Sequence, residues 1–202
     1  MENKKATLDH PIHALLAERW SPCAFADRPV PHSELLSLFE AVRWAPSSYN
    51  EQPWSYLVAA KEDAGEFART LSCLVEPNQA WAKAAPVLAL GLTSLKFSHN
   101  QKENRVALHD LGLASANLSI EATARGLSVH QMAGILPDKV RELYQLPKDV
   151  EAFTGLAIGY KGDSEKLPDN LKQRDLAPRE RKPLSKFVFT GRWGQPASFL
   201  SK

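Results

Sequence analysis

Arg43-Trp44-Ala45-Pro46-Ser47-Ser48-Tyr49-Asn50-Glu51-Gln52-Pro53-Trp54 joins an amphipathic helical pattern to an apolar, strand-like run. Two hydroxyls, a phenol and two amides fall between a pair of prolines and two tryptophans. Proline and Ser/Asn chemistry predicts a turn here. Its hydrogen-bonding capacity exceeds what a plain connector needs. Two readings stand side by side: a turn whose Ser and Asn satisfy their own backbone, or a loop that holds a polar ligand such as a polyhydroxyl chain or the edge of a heterocycle.

Before this stretch, Leu35, Leu38, Phe39 and Val42 recur at helical spacing, giving a helix that starts near Pro31 or Ser33. Further upstream, Pro11 opens a short helix through Ile12, Leu15 and Leu16, which delivers Arg19-Trp20-Ser21-Pro22-Cys23 and is ended by Pro22. After the stretch, residues 54–60 read as a buried strand. A helix follows over 62–73, broken by Glu76-Pro77-Asn78, with a further helical segment over 79–85. Strands are predicted at 86–92, 127–134 and 153–160, and residues 96–104 form a polar surface loop. The segment 105–125 is a long helix, apolar or small nearly all round, with Gly126 as its stop. Such a helix is buried on several sides, and in a chain of this length that suggests the centre of an oligomer. Strands interspersed with helices indicate an α+β or α/β class.

The chain has 202 residues, 44% hydrophobic and 24% charged, enough for one domain that folds without a disulfide or metal. The near-neutral net charge of +2 gives no argument for nucleic acid. Cys23 and Cys73 form neither a ligand spacing nor a disulfide framework, and fit a reducing cytoplasm. No apolar run reaches the roughly 18 residues of a membrane helix, and the N-terminus lacks a signal-peptide core. The expectation is a cytoplasmic protein with no membrane and no nucleic-acid partner. Residues 161–202 differ in character: ten Lys or Arg stand against five Asp or Glu, with few apolar residues before Leu184. Such a tail makes no core of its own, so it is either flexible or wrapped around something. The organisation expected is one domain, with 1–160 as its body and 161–202 as an arm.

Four groups of residues can carry chemistry. Arg19 and Ser21 suit a phosphate, because a guanidinium fork and a hydroxyl both donate; alternatively they are a solvated helix end. Pro46, Ser47, Ser48, Asn50 and Gln52 make the loop described above. Gly134, after Gln131-Met132-Ala133, lets backbone approach a ligand closely, or simply ends a strand. Arg179, Arg181, Lys182 and Arg192 are tail cations, either solvated or clustered on an anion. The six histidines show no metal spacing, and Asp110 inside the apolar helix needs a partner if buried.

Taken together, Arg19-Trp20-Ser21-Pro22-Cys23-Ala24-Phe25, the Ala45 to Trp54 string, Ala85-Pro86-Val87-Leu88, Asp110-Leu111-Gly112-Leu113-Ala114, Gly155-Leu156-Ala157-Ile158-Gly159-Tyr160 and the tail closing on Arg192-Trp193-Gly194 resemble the nitroreductase family of FMN-dependent oxidoreductases. The resemblance covers nearly the whole chain. It implies a three-layer α+β sandwich, a mostly antiparallel sheet flanked by helices, in a homodimer whose C-terminal arm packs on the partner and adds a strand to its sheet. It implies FMN bound between the subunits. Arg19, Trp20 (through its backbone) and Ser21 match phosphate and ribityl contacts. Pro46, Ser47, Ser48, Asn50 and, more weakly, Gln52 match the other subunit's contribution. Met132, Ala133 and Gly134 match the segment facing flavin N5, and Asn78 lies near a flavin contact. Arg192, with Arg181 and Lys182 as alternatives, matches the phosphate cations. Cys23 departs from the family, which usually carries Lys or Arg there near flavin N1 and O2; its loss should lower the flavin potential.

The function implied is FMN-dependent reduction of nitroaromatics, quinones or similar electron-poor compounds by NAD(P)H in a ping-pong cycle, with no catalytic side chain and no metal. The alternatives are another flavoenzyme on the same scaffold (reductive dehalogenase, enone reductase or dehydrogenase) and a non-catalytic flavin-binding protein.

Overall fold

Four strands form one antiparallel sheet in the order β1-β2-β4-β3: β1 Trp54–Ala60, β2 Val87–Ser94, β3 Ser128–Met132 and β4 Val150–Gly159. The structure is a computed structural model that describes residues 4–200. Residues 1–3 of the polar N-terminus, and Ser201 and Lys202 of the basic tail, lie outside the described residues.

The sheet's central strand explains its two-sided cover. Seven consecutive residues of β2 are buried. Its side chains alternate between faces, as the period of two requires. Leu88, Leu90 and Leu92 join a core with Leu74, Trp81, Val140 and Ala157. Val87 and Ala89 join a second core with Leu38, Val42, Leu118, Leu156 and Ile158. Helices α3 (Ala64–Leu71), α4 (Glu76–Ala82) and α6 (Pro137–Tyr144) serve the first core. Helices α2 (His32–Arg43) and α5 (Ala107–Ala124) serve the second. The result is the expected three-layer α+β sandwich.

Local chemistry sets the ends of these elements. Asp63 caps α3 by accepting from the Glu66 N–H at 3.0 Å. Helix α5 stops where Gly126 turns left-handed at φ 70°, and the Leu127 N–H returns to the Ala122 carbonyl at 2.8 Å. Arg125 then ties α5 to α2 through Glu34 at 3.2 Å. A line of exposed positions, Leu108, Gly112 and Ala116, runs along α5 at four-residue intervals.

Two expectations change. Pro77 does not merely interrupt: it sits in the first turn of α4, where a missing N–H costs nothing, so the second helix begins at Glu76 rather than residue 79. The short first helix, α1 (Ala14–Glu18), starts behind a His13 cap and ends before Pro22, leaving residues 19–22 non-helical.

The tail divides into two parts. Its first part packs on its own chain: helix α7 (Asp169–Leu176) follows a turn at Ser164–Lys166, and Asp175 is buried. A bridge between Phe25 and Lys161, and a hydrogen bond from the Gly162 N–H to the Ala24 carbonyl at 2.9 Å, lay this part along residues 24–26. Leu167 and Leu171 also pack against the first core, and composition alone does not show these contacts. The second part carries a small hairpin joined at Phe189 and Pro196, with Phe187, Trp193 and Phe199 exposed.

Candidate functional site

The residues between α1 and α2 hold the first cluster. Arg19 Nη1 lies 3.5 Å from Ser21 Oγ. Burial, and then the positive Arg181 nearby, lower the pKa of Arg19. Burial, Arg19 and Arg181 do the same to Arg179. Three guanidiniums therefore share one region, in a groove that Lys182 also lines. Grouped like charges repel in the absence of an anion, so this arrangement suits one. The Arg179 guanidinium donates to the carbonyls of Lys4, Ala17 and Arg19 at 3.0, 2.6 and 2.8 Å, while Arg181 donates to the adjacent Glu180 carbonyl at 2.7 Å and Arg19 faces Ser21. The ammonium groups of Lys4 and Lys161 lie over the Trp20 ring, 4.6 and 5.0 Å from its centroid.

Strand β3, at the sheet's edge, leads from this cluster to a second one. His130 Nδ1 is 2.9 Å from the Pro22 carbonyl, so that nitrogen carries the proton and donates. Its Nε2 then accepts from Arg174 Nη2 at 3.4 Å, and its ring lies 4.5 Å from that of Trp81. Cys23 Sγ is 3.9 Å from the same Nδ1. At the far end of β3, the Gly134 carbonyl accepts from Asn78 Nδ2 at 3.0 Å and from the Val75 N–H at 3.1 Å. A Cβ on Gly134 would lie 2.4 Å from Asn78 Nδ2 and 2.8 Å from Val75 Cγ2. Only glycine permits this approach.

Residues 46–52 are held from three sides. Asp110 of α5, 2% exposed, accepts from the Ser48 N–H at 3.1 Å. Ser47 Oγ accepts from the Gln52 N–H at 3.0 Å, and Gln52 Nε2 donates to the Asn50 carbonyl at 3.1 Å. Glu51 accepts from the Ser98 N–H at 2.7 Å, and this bond, more than nearby His99, holds its carboxyl below the usual range. Tyr49, Asn50 and Gln52 all have left-handed φ, at 54°, 56° and 51°. Non-glycine residues in that region cost of order 1–3 kcal/mol each. Such a cost persists only where surrounding bonds over-determine the conformation, as they do here. The Tyr49 ring packs edge-on against Phe97 at 5.8 Å, so this stretch and residues 96–104 form one body.

The nitroreductase family profile matches residues 16–160. The chain belongs to the nitroreductase family. It is 37% identical over 133 residues to an uncharacterized 15.4 kDa protein of Mycolicibacterium smegmatis, covering 66% of this chain and 88% of that one. It is 30% identical over 156 residues to a protein of Stenotrophomonas maltophilia (strain K279a) provisionally named an NADH dehydrogenase/NAD(P)H nitroreductase, covering 68% of this chain and 78% of the other. A crystal structure described as an oxidoreductase containing FMN superimposes with a TM-score of 0.88 at 33% identity, covering 96% of this chain and 98% of that one.

On this nitroreductase scaffold the expected site residues fall into place unevenly. Arg19, Ser21, Arg181 and Lys182 come together, and Asn78 meets Gly134. Met132 buries its side chain in the core, so only its backbone faces outward chemistry. Cys23 is wholly enclosed, against His130. Burial, and then Asp175, push its thiol up to about 12. Arg192 sits exposed in the arm's hairpin and does not line the groove that holds Arg19. Residues 46–52 keep their own hydrogen bonds, as the reading of a self-satisfied turn requires, and leave Tyr49 84% exposed. Sequence reasoning passed over Glu51, His130 and Asp175. Asp110 carried a signal, as a lone acid on an apolar helix. Arg179 carried another, in its spacing from Arg181. Asp175 carried none beyond being an acid in a basic tail. Among the described residues no helix is long and apolar enough to cross a membrane, and no His/Cys/Asp/Glu group could hold a metal ion.

Two outcomes test this geometry. Gly134→Ala should destabilise the fold by about 1–3 kcal/mol through overpacking. Gly134→Ala/Asn78→Ala should cost less than the sum of the single variants in urea unfolding, because Asn78 supplies the nearest clash. His130 is held neutral chiefly by burial, its pKa lowered from 6.5. The unfolded chain therefore binds the proton that the folded one refuses. Stability is full above 6.5 and is lost as pH falls through the folded pKa. The urea midpoint should drop between pH ~7.5 and ~5.5, and His130→Gln should remove part of that slope.

Proposed function

We propose that this protein is an FMN-dependent oxidoreductase that takes electrons from NAD(P)H and passes them to nitroaromatics, quinones or similar electron-poor compounds. The observation that carries the reading is the grouping of the Arg19, Arg179 and Arg181 guanidiniums in one groove beside the Ser21 hydroxyl, an arrangement suited to a phosphate. The likeness to an FMN-containing oxidoreductase at 33% identity supports the same ligand.

Arg19 and Arg181 would hold the phosphate by charge-assisted bonds, with the Ser21 hydroxyl and the Trp20 backbone beside them. Lys182 and Arg192 are further cations of the arm, Lys182 in the groove with Arg19 and Arg192 outside it. Ala133 and Gly134 would present backbone to the ring, with Asn78 fixing the turn that carries them. Pro46, Ser47, Ser48 and Asn50 would line the flavin held mainly by the partner subunit, with Gln52 closing the loop behind them. Cys23, being enclosed, would bring no charge to the ring. When bound, FMN supplies the hydride acceptance and donation that let NAD(P)H and the oxidant react in turn. The protein's part is to bind, orient and shield, and no side chain needs to act as acid or base.

The reading includes a homodimer. The exposed line Leu108, Gly112 and Ala116 on α5 and the exposed Phe187, Trp193 and Phe199 of the arm are apolar or small surfaces suited to a second copy.

The purified protein should be yellow, or become so on adding FMN, and NADH or NADPH should bleach it anaerobically. A protein that stays colourless in saturating FMN would refute the assignment. Bound FMN that neither nucleotide reduces would favour a non-catalytic flavin-binding role. Ser47→Ala/Asn50→Ala should weaken FMN binding at least ~tenfold, the loss of one or two hydrogen bonds to a ligand, while leaving the dimer intact by light scattering.

A further inference from the structure

The segment that carries Arg19 and Ser21 has no regular structure of its own, yet backbone groups on both sides of it are bonded by the tail. The Asp175 carboxylate, 2% exposed, accepts from the Cys23 N–H at 2.9 and 3.0 Å and from the Ala24 N–H at 3.2 Å. Ser164 Oγ donates to it at 3.3 Å. The preceding residue, Arg174, donates to His130, which in turn donates to the Pro22 carbonyl. Arg179 takes the carbonyls of Ala17 and Arg19. Gly162 takes the carbonyl of Ala24. Backbone groups on both sides of Arg19-Trp20-Ser21 are thus fixed by residues 162–179.

A buried carboxylate is costly unless its lone pairs are filled, and here they are filled by peptide N–H groups rather than by a facing guanidinium. No catalytic step needs Asp175, but an apolar residue in its place would leave the Cys23 and Ala24 N–H groups without an acceptor. Its position has one evident consequence: it dictates the path of the chain two residues beyond Ser21. Precision of that kind matters where a binding group must be held close to its productive geometry.

We propose that Asp175 is the positioning residue of the phosphate end of the site. By gripping the Cys23 and Ala24 amides it presets the Arg19–Ser21 turn, so that the root of the C-terminal arm organises the phosphate-binding segment of its own subunit. The proposal rests on the FMN reading for the identity of the ligand, but the grip itself exists without one. It also gives the arm a second duty: its root serves its own chain's phosphate end.

The test compares FMN with riboflavin, which lacks the phosphate, in wild type and Asp175→Asn, and follows amide exchange in the ligand-free proteins. The amide variant keeps the size of the side chain but sets an NH2 group against the Cys23 and Ala24 donors. FMN affinity should fall at least ~tenfold and riboflavin affinity less than about twofold, since the charge-assisted phosphate bonds are what misplacement spoils. Exchange at Cys23 and Ala24 should quicken at least ~tenfold, as expected when a charged acceptor is lost. An unchanged ratio of FMN to riboflavin affinity, or an equal loss of both, would overturn the proposal, because a merely structural role weakens both flavins alike. Should Asp175→Asn fail to fold, Ser164→Ala removes one donor to the same carboxylate and should shift both readouts in the same direction by a smaller factor. Wild type that binds neither flavin would sink the FMN reading; exchange at Cys23 and Ala24 would still decide the grip, and no change there in Asp175→Asn would overturn it.

Discussion

The antiparallel pairing of β2 with β4 is the constraint from which the other features follow. Both strands are buried at the middle of the sheet, so both faces must be covered. Covering them takes α2 and α5 on one side and α3, α4 and α6 on the other. Their cores are apolar to the point that polar chemistry is displaced to the edge strand β3 and to the connections. The proposed site therefore falls on connecting segments, residues 19–22, 46–52 and 133–134, each braced by a rigid element behind it.

The braces are of one kind. A buried or half-buried side chain reaches from regular structure and takes a backbone group of the segment it steadies. Asp110 does this for Ser48, Asn78 for Gly134, His130 for Pro22, and Asp175 for Cys23 and Ala24. A peptide group held this way cannot drift, and a charged acceptor makes the bond stronger than a neutral one. The arrangement also explains how residues 49–52 tolerate three left-handed non-glycine conformations. The strain is local, whereas the bonds that offset it come from α5, from Ser47 and from Ser98.

Much of this was legible in one dimension. Strands near 54–60, 86–92 and 153–160 could be placed because uninterrupted apolar runs flanked by Pro and Gly have few other uses. Long helix α5 could be placed by its near-continuous apolar surface and its glycine stop. The motif around Pro46 and the Arg19/Ser21 pair marked the site and the family. The illegible part consists of pairs far apart in sequence. Nothing local distinguishes Asp175 from its neighbours Asp163, Glu165 and Asp169, and only burial of one of the four singles it out. The division of the tail into a docked root and an outlying hairpin is echoed only in charge: residues 161–178 carry four Lys or Arg against four Asp or Glu, and 179–202 six against one.

The sequence by itself determined the fold class, the family and the chemistry available, because hydrophobic period, turn residues and a specific motif are local properties. Tertiary structure alone decided which donors and acceptors meet. It enclosed Cys23, set Arg179 on carbonyls rather than on open surface, and left Arg192 apart from Arg19. The physical reason is that a hydrogen bond is decided by tenths of an ångström and by burial, and neither is written in the spacing of residues 152 positions apart.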